Sequence, residues 1–109
     1  MSKISPRSHE GFRASPEAEA DVWNIWVYLT QEAGPAVADR IETTLFGEMD
    51  AIAGEPGIGH WPRDLTDAPV RFFSVYSYLI VYCPQTQPLQ VVAVLHGRRD
   101  IEELLKDRL

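Results

Sequence analysis

The residues best suited to chemistry form a cationic cluster directly after one apolar run. Residues 89–95 have the composition of a strand, and they lead straight into His96, Arg98 and Arg99. Arg71 stands near the start of an earlier strand-like run. Guanidinium groups bind phosphate and carboxylate, and a histidine exchanges a proton near neutral pH. The pattern predicts a charged edge that contacts either an anionic substrate or a protein partner.

Three strand-like runs supply the scaffold for this edge. They cover residues 70–75, 78–83 and 89–95, separated by the Tyr76-Ser77 bend and a proline-flanked loop. Short connections of this kind join neighbouring antiparallel strands. The runs therefore predict a three-strand antiparallel meander, and residues around Phe12 predict a short strand at the N-terminal end.

Two amphipathic helices are predicted between that first strand and the meander. The Ser-Pro-Glu sequence at 15–17 favours a helix start, and apolar residues then recur with helical spacing up to Gly34. Pro35 can open a second helix, whose apolar stripe ends at Gly54. So short a joint predicts a hairpin of antiparallel helices. Asp100 is suited to cap a short C-terminal helix.

Amphipathic helices and a sheet with one apolar face bury their apolar surfaces by stacking on each other. The predicted fold is an α+β two-layer sandwich: an N-terminal strand, an antiparallel helical hairpin packed on a small antiparallel sheet, and a short C-terminal helix. A chain of 109 residues suffices for one core, so a single domain over 1–109 is expected. Residues 1–7 are expected to be a loose N-terminal arm.

The charge is divided unevenly along the chain. The net charge of −6 disfavours sequence-independent binding to nucleic acid. Over residues 17–55, nine acidic residues accompany one base, Arg40, whereas over 56–101 four arginines accompany three aspartates. Any anion site is therefore expected on the sheet.

Several functional classes find no support in the sequence. The only cysteine, Cys83, lies in an apolar strand, where a buried thiol is expected. No apolar run approaches the length of a membrane span and the N-terminus lacks a signal-peptide core, so a cytoplasmic, non-membrane chain is predicted. No cluster has metal-ligand spacing and no glycine-rich loop precedes a helix, so neither a metal nor another cofactor is expected.

Five sequence pieces follow one another in an order shared with a known family. They are Ser-Pro-x-Ala before Asp-Val-Trp-Asn-Ile-Trp, then Glu-Pro-Gly-Ile-Gly, Pro-Val-Arg, Tyr-Leu-Ile-Val-Tyr and Val-Leu-His-Gly-Arg-Arg-Asp. Over residues 9–105 this order resembles the RelE/ParE toxin superfamily. The resemblance implies the toxin of a bacterial type II toxin–antitoxin system, of the kind linked to plasmid stabilisation. It also implies a cognate antitoxin, bound to the toxin in a hetero-oligomer.

The superfamily divides by target into RelE-like, ribosome-dependent mRNA endonucleases and ParE-like inhibitors of DNA gyrase. Arg71 and one of Arg98 or Arg99 match superfamily positions. The sequence otherwise departs from the RelE-like pattern: residues 78–82 contain no arginine, the lysine pair before the strands is missing, and residues 101–104 contain no tyrosine. The ParE-like interpretation is therefore favoured, which implies gyrase inhibition by protein binding without chemistry.

The alternative is an enzyme, an mRNA endonuclease with ribosome and mRNA as its partners. RNA cleavage needs a proton acceptor, a proton donor and cations around the phosphate. His96 suits one of these roles and Arg98 another, and Tyr76, Tyr78 and His60 are candidates for the second proton carrier. A third interpretation is a non-toxic remnant that only binds antitoxin.

No catalytic residue is assigned under the favoured interpretation. The residues expected to bind the target or the antitoxin, together with an apolar groove between helices and sheet, are Arg71, His96, Arg98 and Arg99. The arginines also have structural explanations: the adjacent pair can be solvated beside nearby acids, and Arg71 can pair with Asp64 or Asp67 at modest gain.

Two further features have competing structural and functional explanations. His96 has the strand parity of Val92 and Val94, so it is expected on their sheet face as a hydrogen-bonded structural residue. Trp23 and Trp26 are three positions apart and cannot both point into one core, so one of them is expected on an exposed patch or at the hairpin edge.

Overall fold

The computed structural model describes residues 11–64, 66–97 and 101–109. Its elements are β1 Phe12–Ala14, α1 Pro16–Ala33, α2 Pro35–Gly54, the 3₁₀ turn Pro56–Ile58, β2 Arg71–Val75, β3 Tyr78–Cys83, β4 Leu89–His96 and α3 Ile101–Arg108. The predicted α+β order of strand, two helices, three strands and a short helix is confirmed. The predicted arm 1–7 and the predicted cap Asp100 lie outside the described residues. None of the helices described is long and apolar enough to cross a bilayer.

The four described strands form one mixed sheet in the order β1-β4-β3-β2. Strands β2, β3 and β4 make the predicted antiparallel meander. Strand β1 instead runs parallel to β4, with Phe12 opposite Leu89. The helical hairpin between β1 and the meander provides the crossover that a parallel pair requires.

Local side-chain and backbone contacts set the predicted limits of α1. The hydroxyl of Ser15 accepts a hydrogen bond from the Ala18 amide at 3.1 Å, and the Ser15 amide donates to the Val91 carbonyl at 3.0 Å. Gly34 adopts φ 95°, a left-handed value suited to glycine, and its amide bonds last-turn carbonyls of α1. Ser15 therefore fixes the helix to β4, and Gly34 lets the chain reverse into α2.

The larger of two hydrophobic cores lies between the hairpin and the sheet. Its largest fully buried members include Leu45, Met49 and Ile52 of α2, and Ile80 and Tyr82 of β3. Burial of such side chains contributes about 1.5–3 kcal/mol each, so this layer contact is the main stabilising term.

A smaller core covers the opposite face of the sheet. Helix α3 packs Ile101 and Leu105 there against Val81 and Ala93. The prediction of a sheet with one apolar face is therefore wrong. Residues 78–82 are buried without interruption because α3 shields the face that the hairpin leaves uncovered.

Strand β4 contains a β-bulge that changes which side chains share a face. The extra residue is Val92, and the register of β4 against β3 shifts there by one. Val92 joins the smaller core with Ala93, whereas Val94 joins the larger core with Val91. The prediction that His96 shares a face with Val92 and Val94 is wrong for Val92, since the bulge reverses the alternation.

A bidentate ion pair ties two helices to the free edge of β4. Strand β1 pairs with β4 only as far as Val91. Beyond it, Asp21 accepts the Val94 amide at 2.9 Å and binds Arg108 at 2.6 and 3.1 Å. Arg108 also donates to the Val92 carbonyl at 3.0 Å. The hydrogen bond to Asp21 raises the pKa of Arg108, and the pair replaces the missing strand partner.

We predict that Asp21→Ala lowers the free energy of unfolding by about 2–3 kcal/mol, measured by urea denaturation. The loss leaves the Val94 amide without its acceptor and the Arg108 guanidinium with only the Val92 carbonyl, and both side chains of the pair are only 15–16% exposed. Asp107→Ala, an exposed carboxylate on the same helix as Arg108, is the matched control and should change stability by less than about 0.5 kcal/mol. Equal effects from the two variants would contradict the role of the ion pair.

Candidate functional site

The structure separates two of the predicted binding residues. Arg71 lies opposite Tyr82 near the end of β3, whereas His96 lies opposite Tyr78 at its start. At about 3.3 Å per strand residue, these positions are roughly 13 Å apart along the strand. Arg71 and His96 therefore belong to different surfaces.

Arg71 is bound to the loop that precedes its own strand. Its guanidinium donates to the Gly59 carbonyl at 2.8 Å and lies 4.9 Å from the centre of the Trp61 ring. The predicted ion pair with Asp64 or Asp67 is therefore wrong. An aromatic face and a carbonyl acceptor, brought close by the fold, hold the side chain instead.

Tyr82 fixes the same loop from within the core. Its hydroxyl accepts from the Gly59 amide at 2.9 Å and donates to the Pro56 carbonyl at 2.7 Å. Burial raises the pKa of Tyr82, so the phenol keeps the proton that this donation needs. A side chain at position 59 would collide with the hydroxyl, which explains the glycine.

A cleft of about 450 Å³ lies beside the edge strand β2. His60 pairs with Phe72 through two backbone hydrogen bonds of 2.6 and 2.8 Å, and Ser74 is exposed two residues further along β2. The lining residues are Ile58, Gly59, His60, Phe72, Phe73, Ser74 and Leu79. The loop that Arg71 and Tyr82 hold therefore forms part of this cleft.

Aromatic and titratable side chains meet where β4 ends and β3 begins. The rings of Tyr78 and His96 lie 5.0 Å apart. Burial, and then the charge of Tyr28 on α1, raise the pKa of Tyr78. Tyr76 in the adjoining turn is 66% exposed and has φ 57°, a conformation uncommon for residues other than glycine. These four residues are called the strand-end cluster.

The strand-end cluster places a protonated phenol beside an exposed imidazole. Tyr78 stays protonated because its pKa is raised, and His96 is exposed. Of the three predicted second proton carriers, Tyr78 is the one in ring contact with His96. The chain continues into the predicted Arg98 and Arg99, which lie outside the described residues.

Sequence reasoning missed one member of this cluster. Tyr28 belongs to α1, far along the chain from Tyr78, and no spacing pattern connects the two. Its 55% exposure is evident only in the fold. The helix position that brings Tyr28 to the sheet end depends on how α1 packs against β4.

Two tryptophans form a flat aromatic surface on the helical hairpin. The rings of Trp23 and Trp26 stack at 5.3 Å with an interplanar angle of 14°. The Trp26 indole N–H donates to Asp39 of α2 at 2.8 Å, and Trp23 is 54% exposed. The prediction that one of the pair lies exposed is confirmed. Trp23, Trp26 and Asp39 are called the tryptophan platform.

Side chains able to bind a metal do not gather in the part of the chain that the structure describes. Within 11–64, 66–97 and 101–109, no group of three or more histidine, cysteine, aspartate or glutamate side chains could hold a metal ion. The groups that the strand-end cluster offers to a partner are phenols and an imidazole.

The fold and the family comparison agree on the class of protein. Residues 12–101 match the family model of the ParE toxin of the type II toxin–antitoxin system, parDE. The chain therefore belongs to the ParE toxin family, which confirms the resemblance to the RelE/ParE superfamily and its ParE-like branch.

One solved structure with a similar fold is from the chromosomal ParDE toxin–antitoxin system of P. aeruginosa. The TM-score is 0.68 at 15% identity, over 84% of this chain and 100% of that chain. At this identity the likeness is one of fold. No curated protein matches the chain.

We predict that Arg71→Ala lowers the free energy of unfolding by about 1–2 kcal/mol, because a charge-assisted hydrogen bond and a ring contact are lost. Arg63→Ala is the matched control, since this exposed guanidinium lies 5.3 Å from the same Trp61 ring. It should cost less than about 0.5 kcal/mol in urea denaturation. If the two variants lose the same stability, Arg71 does not hold the loop.

Proposed function

We propose that the chain is a toxin that binds and inhibits DNA gyrase and that a cognate antitoxin neutralises it. The match of residues 12–101 to the ParE toxin family carries the proposal, because the ParE-like branch is the one associated with gyrase inhibition. A gyrase inhibitor acts in the cytoplasm, where chromosome and plasmid are supercoiled. The chain contributes binding surface to this action and performs no chemistry itself.

The proposed contact with the target lies at the strand-end cluster and the arginines that follow it. Tyr76 and His96 are exposed there, and Arg98 and Arg99 come directly after Gly97 in the sequence. Tyrosine and arginine are among the residues that contribute most binding energy at protein interfaces. His96, Arg98 and Arg99 are therefore assigned to the target contact.

Arg71 is assigned to a second surface, the cleft beside β2. It holds the Gly59–Trp61 part of the loop that forms this cleft. Its proposed contribution to antitoxin binding is to shape the loop, because its guanidinium is already engaged.

The antitoxin is proposed from the kind of system to which the family belongs. The solved structure with a similar fold also comes from a ParDE toxin–antitoxin system. In the proposed complex a disordered antitoxin segment folds on the toxin and adds a helix or a strand, producing a hetero-oligomer.

One observation favours the second candidate function, an mRNA endonuclease that acts on the ribosome. Tyr78 and His96 lie in contact and could supply a proton donor and acceptor for RNA cleavage. Tyr78 is only 7% exposed, however. Little of this side chain is open to a substrate, so the geometry gives this candidate less support.

Two assays on the purified chain separate these functions. Gyrase supercoiling should stop in its presence, while message on translating ribosomes should stay intact. Cleaved message with normal supercoiling would replace the proposal with the endonuclease. Normal supercoiling, intact message and no growth defect on induction would indicate a remnant that only binds antitoxin.

We predict that Arg98→Ala combined with Arg99→Ala weakens gyrase inhibition at least about tenfold, since two interface arginines at roughly 1 kcal/mol or more each are removed. Circular dichroism and thermal unfolding should remain those of the parent chain. The control is Arg13→Ala combined with Arg40→Ala, two exposed arginines on β1 and α2. Inhibition that survives loss of Arg98 and Arg99 would place the target contact on another surface.

A further inference from the structure

The tryptophan platform is a rigid surface that the target contact does not use. Trp26 is fixed by its hydrogen bond to Asp39, and Trp23 lies flat against Trp26. A ring that is already ordered loses little conformational entropy when a partner covers it. The platform is therefore preorganised for binding, although it lies outside both hydrophobic cores.

Packing between the two helices of the hairpin explains the position of only one of the two tryptophans. Trp26 is half-buried and joins α1 to α2 through Asp39. Trp23 leaves 54% of its surface exposed, so about half of this side chain is not used in packing the monomer. That area is open to a partner.

The charge around the platform indicates what kind of group would cover it. Residues 17–55, which include nearly all of both helices, carry nine acidic residues and the single base Arg40. Asp39 is exposed within the platform itself. An indole face is the strongest aromatic site for a cation. The Asp39 carboxylate lies at the indole edge of Trp26, so the stacked rings and this carboxylate together are complementary to a cationic side chain.

Among cationic side chains, arginine fits this arrangement better than lysine. Its guanidinium is planar, so it stacks on a ring while its N–H groups remain free at the edge to bind a carboxylate. The chain already contains this contact elsewhere, where Arg71 lies 4.9 Å from the centre of the Trp61 ring and also bonds a carbonyl.

We propose that the tryptophan platform binds an arginine-bearing segment of the antitoxin, with a guanidinium stacked on Trp23 and bonded to Asp39. The inference rests on the proposed function, in which an antitoxin binds the chain. It adds the chemistry of the partner, a basic segment, and a docking place on the helical layer. This surface is separate from the cleft beside β2 and from the strand-end cluster.

The first test uses the whole chain and synthetic peptides of equal length that alternate alanine with arginine, lysine or glutamate. By calorimetry, the arginine peptide should bind more tightly than the lysine peptide, and the glutamate peptide should not bind. Trp23→Ala should weaken binding of the arginine peptide about tenfold, a difference of about 1.4 kcal/mol in binding free energy. Asp39→Asn should weaken it about threefold, since the amide oxygen still accepts the Trp26 bond but the charge is gone.

Tyr28→Ala is the matched control for peptide binding. Tyr28 is 55% exposed against 54% for Trp23. It lies on the same helix, about 140° around the axis at 3.6 residues per turn. Tyr28→Ala should bind the arginine peptide like the parent. If it weakens binding as much as Trp23→Ala, any exposed aromatic ring on the helix serves, and the proposal is overturned. If Trp23→Ala has no effect, diffuse acidic charge explains binding, and the proposal is likewise overturned.

The second test separates this inference from the proposed function. The product of the neighbouring reading frame is titrated into the parent chain and into Trp23→Ala, with folding of both checked by circular dichroism. Weaker binding to Trp23→Ala supports the platform. Equal binding to both overturns the inference but keeps the antitoxin. If this product does not bind the parent chain, it is not the antitoxin of this chain. The proposed function and the proposed partner of the platform are then both contradicted, whatever the peptide results are.

Sedimentation of the chain alone tests whether a second copy of the same chain covers the platform instead. The parent and Trp23→Ala should sediment as the same species. A parent dimer that becomes a monomer on Trp23→Ala would assign the platform to self-association and overturn the proposal.

Discussion

Strand β4 must satisfy its backbone on both edges and cover its side chains on both faces, and the other elements are arranged around this requirement. Strand β3 takes one edge. Strand β1 pairs with the other edge only up to Val91. Beyond it, Asp21 accepts the Val94 amide and Arg108 donates to the Val92 carbonyl. Because buried backbone groups without partners are costly, these contacts determine where α1 and α3 lie. The helical hairpin and α3 then close opposite faces.

The arrangement around β4 produces surfaces that point to different kinds of contact. The end of β4 brings His96 against Tyr78, close to the exposed Tyr76. On the helical layer, the stacked Trp23 and Trp26 lie beside Asp39, in a segment with nine acidic residues and one base. Since the two surfaces differ in charge and composition, the toxin can bind its proposed target and its proposed antitoxin through different chemistry.

The predicted binding residues Arg71 and His96 make contacts that the sequence did not indicate. Arg71 was expected to pair with an aspartate, but the fold brings Gly59 and Trp61 to it. His96 was predicted as a binding residue from its place beside the arginines, whereas its contact with Tyr78 depends on strand register. Residue type indicates what a group can do. Its partners depend on segments that only folding brings together.

The sequence by itself determined the order of elements, the helix limits at Ser15 and Gly34, the meander and the acidic character of the helical layer. These follow from capping, periodicity and composition, which act over a few neighbouring residues. Only the tertiary structure decided the parallel pairing of β1, the bulge at Val92, the second core under α3 and the Asp21–Arg108 pair. Each of these joins segments distant in the chain, and the free energy that selects them arises only when the layers pack.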